Sequence, residues 1–383
     1  MTRTRWIFIA CALALAGCKQ ASDASAANSA AAAVATADFA ISEIATFDEP
    51  WAMSFLPDGR LLVSEKKGRL ELLVPGGVAA DIAGVPAVDY GGQGGFGDVV
   101  LHPKFSSNGL LYLSYVERGD GDTHGAVVAR ARLQLDSKGG GTLSGLTVIW
   151  RQQPKVDGRG HFGHRIAFGA DGKLWISSGE RQHFDPAQDM SGNLGKILRL
   201  NDDGSVPADN PFASQGGVAA QVWTLGHRNP LGLAFDGQGR LWEIEMGPRG
   251  GDELNLIERG RNYGWPKVSN GDNYDGSPIP DHPTAPQYEA PKISWTPVIA
   301  PADLIIYSGA EFPQWQGQAL IAGLASQALV RVQFDGDRAR EVARYDMGQR
   351  IREVEQGPDG AVWLLEDAPG GRLLKLSNPA PAR

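Results

Sequence analysis

Short apolar runs separated by turn residues dominate the chain, and long stretches of helical periodicity are hard to find. A recurrent unit combines an Asp-Gly, Asn-Gly or similar turn with a short apolar run that follows it. Five clear copies and a weaker sixth occur at residues 57–63 (PDGRLLV), 107–112 (SNGLLY), 170–175 (ADGKLW), 236–242 (DGQGRLW), 358–363 (PDGAVW) and 315–320 (WQGQAL). Apolar runs also precede some of these turns, as at residues 52–55 and 232–235. Each unit is therefore predicted to be a β-hairpin.

Six hairpins spread along one chain predict six sheets that are arranged radially. We therefore expect an all-β fold, a six-bladed β-propeller of four-stranded antiparallel sheets. A pair of β-sandwiches, or another all-β array, is the alternative that the pattern leaves open. The units are irregularly spaced, so long insertions must separate some strands. The largest interval lies between Trp242 and Trp315, where several polar motifs cluster.

The first residues have the pattern of a targeting segment. Arg3 and Arg5 precede an apolar run at residues 6–15, which is shorter than the roughly 20 residues of a membrane-spanning helix. The run leads to residues 15–18 (LAGC), which resemble the bacterial lipoprotein signal that is cleaved before a cysteine, here Cys18. An ordinary secretory signal, in which Cys18 is incidental, is the alternative.

This pattern divides the chain into three parts. Residues 1–17 are expected to be a lipoprotein signal peptide, 18–37 an Ala/Ser-rich tether, and 38–378 the catalytic propeller domain. Membrane contact is then expected only through lipid on Cys18, on the periplasmic side of the cell envelope. Because Lys19 follows where an aspartate would favour the inner membrane, the same resemblance implies the outer membrane.

Cysteine usage and charge narrow the class of protein further. The two cysteines are Cys11 and Cys18, so we expect the folded part to contain no disulfide and to be stabilised by packing. The formal net charge is −8, and removal of the signal peptide takes two arginines away. An acidic chain without basic runs argues against nucleic-acid binding. Phosphate-binding loops, dinucleotide fingerprints and Ser-His-Asp signatures are not persuasive in this sequence.

Several polar motifs follow one another in a characteristic order. They are residues 91–95 (GGQGG), 161–165 (HFGHR), 226–235 (GHRNPLGLAF), 245–255 (EMGPRGGDELN), 262–266 (NYGWP) and 349–352 (QRIR). Together they resemble the soluble glucose and aldose sugar dehydrogenases that depend on pyrroloquinoline quinone (PQQ), the glucose/sorbosone dehydrogenase family. The resemblance runs from about residue 40 to the C-terminus. It implies a six-bladed propeller, in agreement with the hairpin count.

The resemblance also implies a reaction, the oxidation of a sugar's anomeric hydroxyl to a lactone. A hydride must leave carbon while a proton leaves oxygen, so a base is needed within hydrogen-bond reach of the hydroxyl. His161 matches the family base and is preferred to His164 on the resemblance alone. Arg228 is the second catalytic candidate, because a guanidinium stabilises negative charge that develops on reduction. The sugar and an external electron acceptor are the implied partners.

Cofactor contacts are assigned from the same motifs. Gln93, Arg228 and Asn229 match family positions that contact cofactor or substrate, and Tyr274 is a cofactor-side candidate in the long insertion. Arg350 and Arg352 alternate by two, so on a strand they would share one face. Two like charges on one face are unfavourable unless an anion lies between them, and PQQ, a tricarboxylate, would supply it.

Calcium is the implied metal, and it prefers six to eight oxygen ligands that include backbone carbonyls. Gly247 and Pro248 match the family pair whose carbonyls hold the calcium beside PQQ. Proline suits this role because it offers only an acceptor. Glu253 and the carbonyl of Tyr263 would hold a second, structural calcium.

Two departures from the family pattern bear on these assignments. Gly160 stands where relatives often have an acid before the catalytic histidine, so the orienting partner of His161 is left open. Ala325 stands where related sequences can carry a cofactor-contacting lysine, so one cation contact is missing. Two other functions remain open: a calcium-dependent propeller hydrolase of the lactonase type, and a non-catalytic envelope propeller that binds carbohydrate or a partner.

Overall fold

The structure, a computed structural model, describes residues 38–74, 76–137 and 139–378. The expected signal peptide and tether, with Cys18, lie outside the described residues. In the described part, the first six strands are β1 Ala40–Asp48, β2 Pro50–Phe55, β3 Leu61–Glu65, β4 Arg69–Leu73, β5 Ala80–Ala83 and β6 Phe96–Leu101. The next seven are β7 Leu110–Arg118, β8 His124–Leu135, β9 Gly141–Arg151, β10 Gly163–Phe168, β11 Leu174–Ser178, β12 Lys196–Leu200 and β13 Val222–Leu225.

The second half of the chain continues in the same way. Its strands are β14 Pro230–Phe235, β15 Leu241–Glu245, β16 Asp252–Ile257, β17 Ile293–Trp295, β18 Pro301–Ile306, β19 Ala319–Gly323, β20 Ala328–Asp335, β21 Arg338–Asp346, β22 Ile351–Gln356, β23 Val362–Glu366 and β24 Pro369–Ser377. Helical structure in the described residues is limited to α1 Phe105–Asn108 and the 3-10 turns Asp185–Ala187, Ala213–Gln215, Ala219–Gln221, His282–Thr284 and Pro313–Trp315. Of the helices in these residues, none has the length and apolar character needed to cross a membrane.

The strands form several four-stranded antiparallel sheets, as in a propeller-like fold. Four sheets have the orders β1-β24-β23-β22, β10-β11-β12-β13, β14-β15-β16-β17 and β18-β19-β20-β21. The other eight strands form one sheet, in which a short parallel pairing of β5 with β9 joins β2-β3-β4-β5 to β9-β8-β7-β6. The first strands of these groups contact one another in a closed series, from β2 through β6, β10, β14, β18 and β22 back to β2.

The hairpin units of the sequence fall at the turn between the first two strands of each group. The Asp58-Gly59 turn joins β2 to β3, and Gly59 has a φ of 87° that favours glycine. The turn is wider than the two-residue connection that Asp-Gly alone favours, because Leu56 N donates to the Arg60 carbonyl across it. In the second unit, α1 occupies the connection between β6 and β7. The long interval after Trp242 consists of β16, an irregular connection at 258–292, and further strands.

The sheet that contains both ends of the described chain closes the fold. Strand β1 pairs antiparallel with β24, and Ala40 lies opposite Ser377. Large apolar side chains fill the space between neighbouring sheets, and Trp242 and Trp315 are completely buried. Burying a side chain of this size contributes at least about 1.5–3 kcal/mol. Packing therefore holds the sheets together without a disulfide in the described residues, which contain no cysteine.

Charged side chains lie among the first strands of the sheets, deep inside the fold. The guanidinium of Arg165 on β10 lies 3.5 Å from Asp98 on β6, 3.4 Å from Asp303 on β18 and 3.5 Å from Glu353 on β22. Arg165 also donates to the Leu231 carbonyl. A buried charge is tolerated when it is paired and hydrogen-bonded. The cation at the centre of this acidic group is therefore an arginine of the chain itself.

Candidate functional site

A cavity of about 360 Å³ is lined by residues from all of the strand groups just described. Of the residues assigned from the sequence, Gln93, Asn229, Arg350 and Arg352 lie on its wall. Arg228, Pro248 and Tyr274 line a neighbouring depression of about 430 Å³. Gly247, Glu253 and Tyr263 line a much smaller pocket of about 10 Å³, together with Arg228. All of the assigned residues except His161 therefore fall into three adjoining pockets, and Arg228 lines two of them. His161 lines none of the three, but the next residue, Phe162, lies on the wall of the 360 Å³ cavity.

His161 is buried and held at two points. Its backbone N donates to Gln93 Oε1 at 2.8 Å, and its ring Nδ1 lies 2.5 Å from Glu180 Oε1. Glu180 Oε2 accepts a further hydrogen bond from Phe184 N, so the carboxylate is itself oriented. With Nδ1 donating to a carboxylate, the free lone pair lies on Nε2. His161 Nε2 has no hydrogen-bond partner among the described residues, and is free to accept a proton.

The electrostatics of this pair keep the imidazole neutral. Burial lowers the pKa of His161, Glu180 raises it, and Arg228 lowers it, with a net decrease. Burial acts to raise the pKa of Glu180, but the hydrogen bond and charge of His161, together with Phe184 N and Arg228, lower that pKa overall. A neutral imidazole beside an ionised carboxylate has the charge state of a general base.

Glu180 is the orienting partner that the sequence left open. Gly163 on β10 pairs with Ser178 on β11, and this antiparallel register places residue 180 opposite residue 161. The hairpin unit at residues 170–175 was recognised in the sequence, but its register, with Ile166 opposite Ile176, would extend to residue 181 opposite residue 161. A bulge between Gly163 and Ile166 shifts the register by one residue and brings Glu180 there instead, so the sequence did not identify this carboxylate. The preceding Gly160 leaves no acid next to His161 in the chain.

The loop before His161 is fixed by a buried arginine that the sequence did not single out. The Arg181 guanidinium donates to the carbonyls of Gly160 at 2.8 Å, His124 at 2.7 Å and Gly158 at 2.5 Å. It also stacks 3.7 Å from the ring centre of Phe162. A Cβ on Gly179 would lie 2.1 Å from the His161 carbonyl oxygen. The local backbone therefore leaves little freedom for the histidine.

The second histidine of the motif has a different environment. His164 lies on the cavity wall, but its ring stacks on Trp51 at 5.1 Å and its Nδ1 contacts Ser114 Oγ at 2.7 Å. Burial, with a contribution from Arg165, lowers the pKa of His164 to about 3. No carboxylate of the described residues pairs with it. Of the two imidazoles, His161 has the geometry of an oriented base.

Arg228 and Asn229 are held through their backbones by Glu245. Glu245 Oε2 accepts from Arg228 N at 2.5 Å and from Asn229 N at 3.2 Å. The Arg228 guanidinium donates to the carbonyls of Met246 and Gly247, and to the hydroxyl of Tyr274 at 3.1 Å. Tyr274 is 71% exposed, so its ring lies over the mouth of the site rather than inside it.

Both residues carry buried polar atoms that lack partners. Arg228 Nε and Asn229 Oδ1 make no hydrogen bond with any residue that the structure describes. Because a buried polar group without a partner is costly, such atoms are typical of a site that a polar ligand completes. A quinone that carries carboxylates offers both hydrogen-bond acceptors and hydrogen-bond donors, and its size suits the cavity of about 360 Å³. The residues present therefore fit the PQQ that the sequence motifs implied.

Arg350 and Arg352 share a carboxylate of the chain. Both guanidinium groups bind Asp367, Arg350 through Oδ2 at 2.8 Å and Arg352 through Oδ1 at 2.7 Å. From the sequence, a cofactor anion was expected between these like charges, but the structure places Asp367 there. One carboxylate between two guanidinium groups still leaves positive charge on this wall. Asp367 could not be identified from the sequence motifs, because it lies in the connection after β23.

The carbonyls assigned to the cofactor-side calcium lie in a tight glycine-rich turn. A Cβ on Gly247 would lie 2.3 Å from the Gly251 carbonyl oxygen, so the turn accepts no larger residue there. Gly247 N donates to Asp252 Oδ1 at 2.8 Å, and this hydrogen bond fixes the turn to the start of β16. The Gly247 carbonyl accepts from Arg228, and the Pro248 carbonyl accepts no hydrogen bond from the described residues. Pro248 thus offers a free oxygen of the kind calcium binds.

Glu253 belongs to a buried group of carboxylates on β15 and β16. The amide Nδ2 of Asn255 contacts Glu243 at 3.0 Å, Glu245 at 3.3 Å and Glu253 at 3.4 Å. Ligand atoms of His227, Glu243 and Glu245 lie within 4.8 Å of one another. Burial and the charge of Glu245 raise the pKa values of Glu243 and Glu253 well above the usual range.

These carboxylates fit a cation. Neither Glu243 Oε1 nor Asn255 Oδ1 has a hydrogen-bond partner among the described residues. No lysine or arginine side chain of these residues pairs with Glu243, Glu245 or Glu253, so a divalent ion would relieve their repulsion. Tyr263 lines the same small pocket, and its carbonyl oxygen lies 3.1 Å from His282 Nε2.

Comparisons with known proteins agree with the motifs. The family model described as Glucose / Sorbosone dehydrogenase matches residues 47–375. Aldose sugar dehydrogenase YliI of Escherichia coli (strain K12) is 40% identical over 337 residues, which are 86% of this chain and 90% of that protein.

Two solved structures share the fold over nearly the whole described region. The crystal structure of the soluble aldose sugar dehydrogenase of Escherichia coli, in the apo form, has a TM-score of 0.84 at 38% identity. It covers 89% of this chain and 100% of its own. The PQQ-bound aldose sugar dehydrogenase of Streptomyces coelicolor has a TM-score of 0.71 at 27% identity, with coverages of 91% and 99%. The resemblance drawn from the ordered motifs is confirmed.

Proposed function

Since this chain belongs to the glucose/sorbosone dehydrogenase family, we propose that it oxidises the anomeric hydroxyl of aldose sugars to give lactones. We further propose that PQQ and Ca²⁺ are its cofactors and that an external molecule accepts the electrons. The name aldose sugar dehydrogenase, which the Escherichia coli relative carries in sequence and in structure, supports the substrate class, and the PQQ-bound state of the Streptomyces coelicolor protein supports the quinone. The observation that carries the proposal is the buried His161–Glu180 pair beside a cavity with a cationic wall.

Proton removal is the step that the chain's own residues perform. A sugar whose anomeric hydroxyl approaches His161 Nε2 donates its proton there, and Glu180 stabilises the imidazolium that forms. Gln93 holds the backbone of His161 while this charge develops. When bound at the residues named below, PQQ beside calcium would supply the electrophilic carbonyl that hydride transfer needs.

The remaining assigned residues bind and orient. Arg228, whose Nε lacks a partner, and Asn229 would hold polar oxygens of the cofactor, and Arg350 and Arg352 would hold its carboxylates. Tyr274 orients the Arg228 guanidinium through its hydroxyl. The carbonyls of Gly247 and Pro248 would hold the cofactor-side calcium, while Glu253 and the Tyr263 carbonyl would hold the structural one.

We also propose that the closed series of strand groups constitutes six blades, with the eight-stranded sheet counted as two. The lactonase-type alternative needs a cation among acids at the centre of such a ring. Here Arg165 already occupies the space among Asp98, Asp303 and Glu353, which disfavours that alternative. For the cell envelope, we keep the proposal that Cys18 carries lipid and anchors the catalytic domain on the periplasmic side, at the outer membrane.

Reconstitution tests the function directly. Purified protein, stripped with a chelator and then supplied with PQQ and CaCl₂, is expected to reduce a redox dye in the presence of aldoses. His161→Ala should lose most turnover and still bind PQQ. His183→Ala is the matched control, because His183 is partly exposed and pairs with Asp157 at 3.2 Å. Absence of dye reduction with every aldose would refute the proposed function. Normal turnover by His161→Ala would refute the assignment of His161 as the base.

A further inference from the structure

Lys66 stands on the cavity wall without an anionic partner. It follows β3 directly and lines the cavity together with Arg350 and Arg352. Its Nζ donates to the Gly92 carbonyl at 3.3 Å and lies 5.8 Å from the ring centre of Tyr90. It forms no ion pair with any residue in 38–74, 76–137 or 139–378. The half-buried ammonium group of Lys66 can donate three hydrogen bonds, and the contact with Gly92 uses one of them.

The carboxylates near Lys66 already bind other groups. Glu49 Oε2 accepts from the Tyr90 hydroxyl at 2.6 Å and lies 3.6 Å from the Nζ of Lys67. Asp367 is shared by the two arginines. Three cationic side chains therefore line this cavity with two carboxylates, both of which have other partners. The excess positive charge lies on one wall, where an anion would be stabilised.

The backbone of Lys66 is fixed, so this placement is built into the fold. Lys66 N donates to the Glu49 carbonyl at 3.0 Å, and its own carbonyl accepts from Phe96 N at 2.8 Å. A Cβ on Gly95 would lie 2.3 Å from the Lys66 carbonyl oxygen, so the two chain segments pack closely. Burial, and then the charge of Arg352, lower the pKa of Lys66. An anion bound beside it would oppose that effect.

We propose that Lys66 forms, with Arg350 and Arg352, a subsite for a carboxylate of the quinone cofactor. The proposal rests on the function proposed above. On the other side of the arginines, in the strand group β18–β21, the turn between β19 and β20 begins with the uncharged residues Leu324 and Ala325. Lys66 supplies the positive charge from the neighbouring group that begins with β2 instead. Without a ligand, Lys66 is repelled by Arg350 and Arg352, and a bound carboxylate would give it an anionic partner.

Equilibrium binding of PQQ to the calcium-loaded protein, without sugar, tests this proposal by titration calorimetry. Lys66→Ala is expected to weaken binding about tenfold, in the range of a partly desolvated charge pair. Lys66→Arg should keep most of the affinity. The matched control is Lys375→Ala, since Lys375 pairs with Asp359 in a pocket that shares no residue with the cavity, and this variant should bind within about twofold of wild type.

A second ligand separates a carboxylate contact from a general effect on the fold. With PQQ trimethyl ester, whose carboxylates are uncharged, Lys66→Ala and wild type should bind equally. The unfolding midpoint of the ligand-free protein should not fall in Lys66→Ala, because the ammonium contributes repulsion there. Equal PQQ affinity of Lys66→Ala and wild type would overturn the subsite and leave the proposed function intact. An equal loss with the ester would overturn it too, whereas a wild type that binds no PQQ would overturn both.

Discussion

Replacing Glu180 with glutamine isolates what the carboxylate does for His161. The substitution keeps the size of the side chain and an oxygen that can accept from Nδ1, but it removes the negative charge. Both side chains are almost completely buried, with 6% and 1% of their surfaces exposed, so solvent screens the pair weakly. Loss of a group that orients and charges a catalytic histidine typically costs about 10- to 100-fold, or about 1.4–2.7 kcal/mol of transition-state stabilisation.

The direction of the pH dependence follows from the pKa shifts. Burial lowers the pKa of His161 and Glu180 raises it, so removing the carboxylate lowers that pKa further. The base works in its neutral form, and the acidic limb of kcat/KM should therefore move to lower pH in Glu180→Gln. The plateau above that limb should fall, because a less basic and less well oriented imidazole accepts the proton more slowly.

The assay is dye-coupled kcat/KM for an aldose from about pH 5 to pH 9, a range that brackets histidine titration. PQQ binding is measured in parallel, because a change in cofactor affinity would mimic a loss of rate. Glu117→Gln is the control: Glu117 pairs with Arg151 and Lys155 and takes no part in the site. A plateau unchanged in Glu180→Gln, or an acidic limb displaced to higher pH, would refute the reasoning.

Three further perturbations test other parts of the site. Gly179→Ala should lower kcat and destabilise the fold by about 1–3 kcal/mol, because the new Cβ would meet the His161 carbonyl. Gly237→Ala is the control, because a Cβ at Gly237 meets nothing within 4 Å. Chemical denaturation and dye assays compare the two variants. Adding CaCl₂ to chelator-treated protein should raise its free energy of unfolding, by about 2.7 kcal/mol when the free calcium concentration is a hundred times the Kd. Glu253→Gln should reduce this stabilisation, as measured by calorimetry of unfolding. Asp367→Asn should cost about 1 kcal/mol at neutral pH. Burial acts to raise the pKa of Asp367, but Arg352 and Arg350 lower it overall. The stability that Asp367 contributes is therefore fully present above pH 3.8, the ordinary aspartate pKa, and is lost as the pH falls through the lowered pKa of the folded protein. Urea midpoints of the variant and wild type that differ equally at all pH values would contradict this prediction.

The elements that local chemistry specifies were predictable from the sequence. Asp-Gly and Asn-Gly turns located the hairpins that begin the strand groups, because glycine supplies the positive φ that these turns need. The pairing of β1 with β24 was not predictable in this way, since it joins residues from opposite ends of the described chain. The same holds for the parallel pairing of Ile82 with Gly141, which merges two strand groups into one sheet.

The site shows the same division between motif residues and their partners. His161, Arg228 and Arg352 belong to recognisable motifs, so the sequence identified them. Glu180 and Asp367 have no motif of their own, and their roles arise from strand register and from the packing of side chains. Lys66 next to Lys67 looks like an exposed basic pair in the sequence. Only the fold turns one of them toward the cavity and the other toward Asp48.

The cations near His161, Arg228 and Arg181, explain why this histidine needs a carboxylate partner. A cavity that binds an anionic quinone must carry cations, and a nearby cation lowers the basicity of any imidazole, as Arg228 does here. A base in such a site would be neutral at every physiological pH but too weak to take the sugar's proton readily. Glu180 opposes this by acting on the opposite ring nitrogen, where it stabilises the imidazolium without occupying the reactive Nε2. Under the proposed function, cofactor binding and proton removal would thus place opposite electrostatic demands on neighbouring parts of one site, and the buried Glu180 would make them compatible.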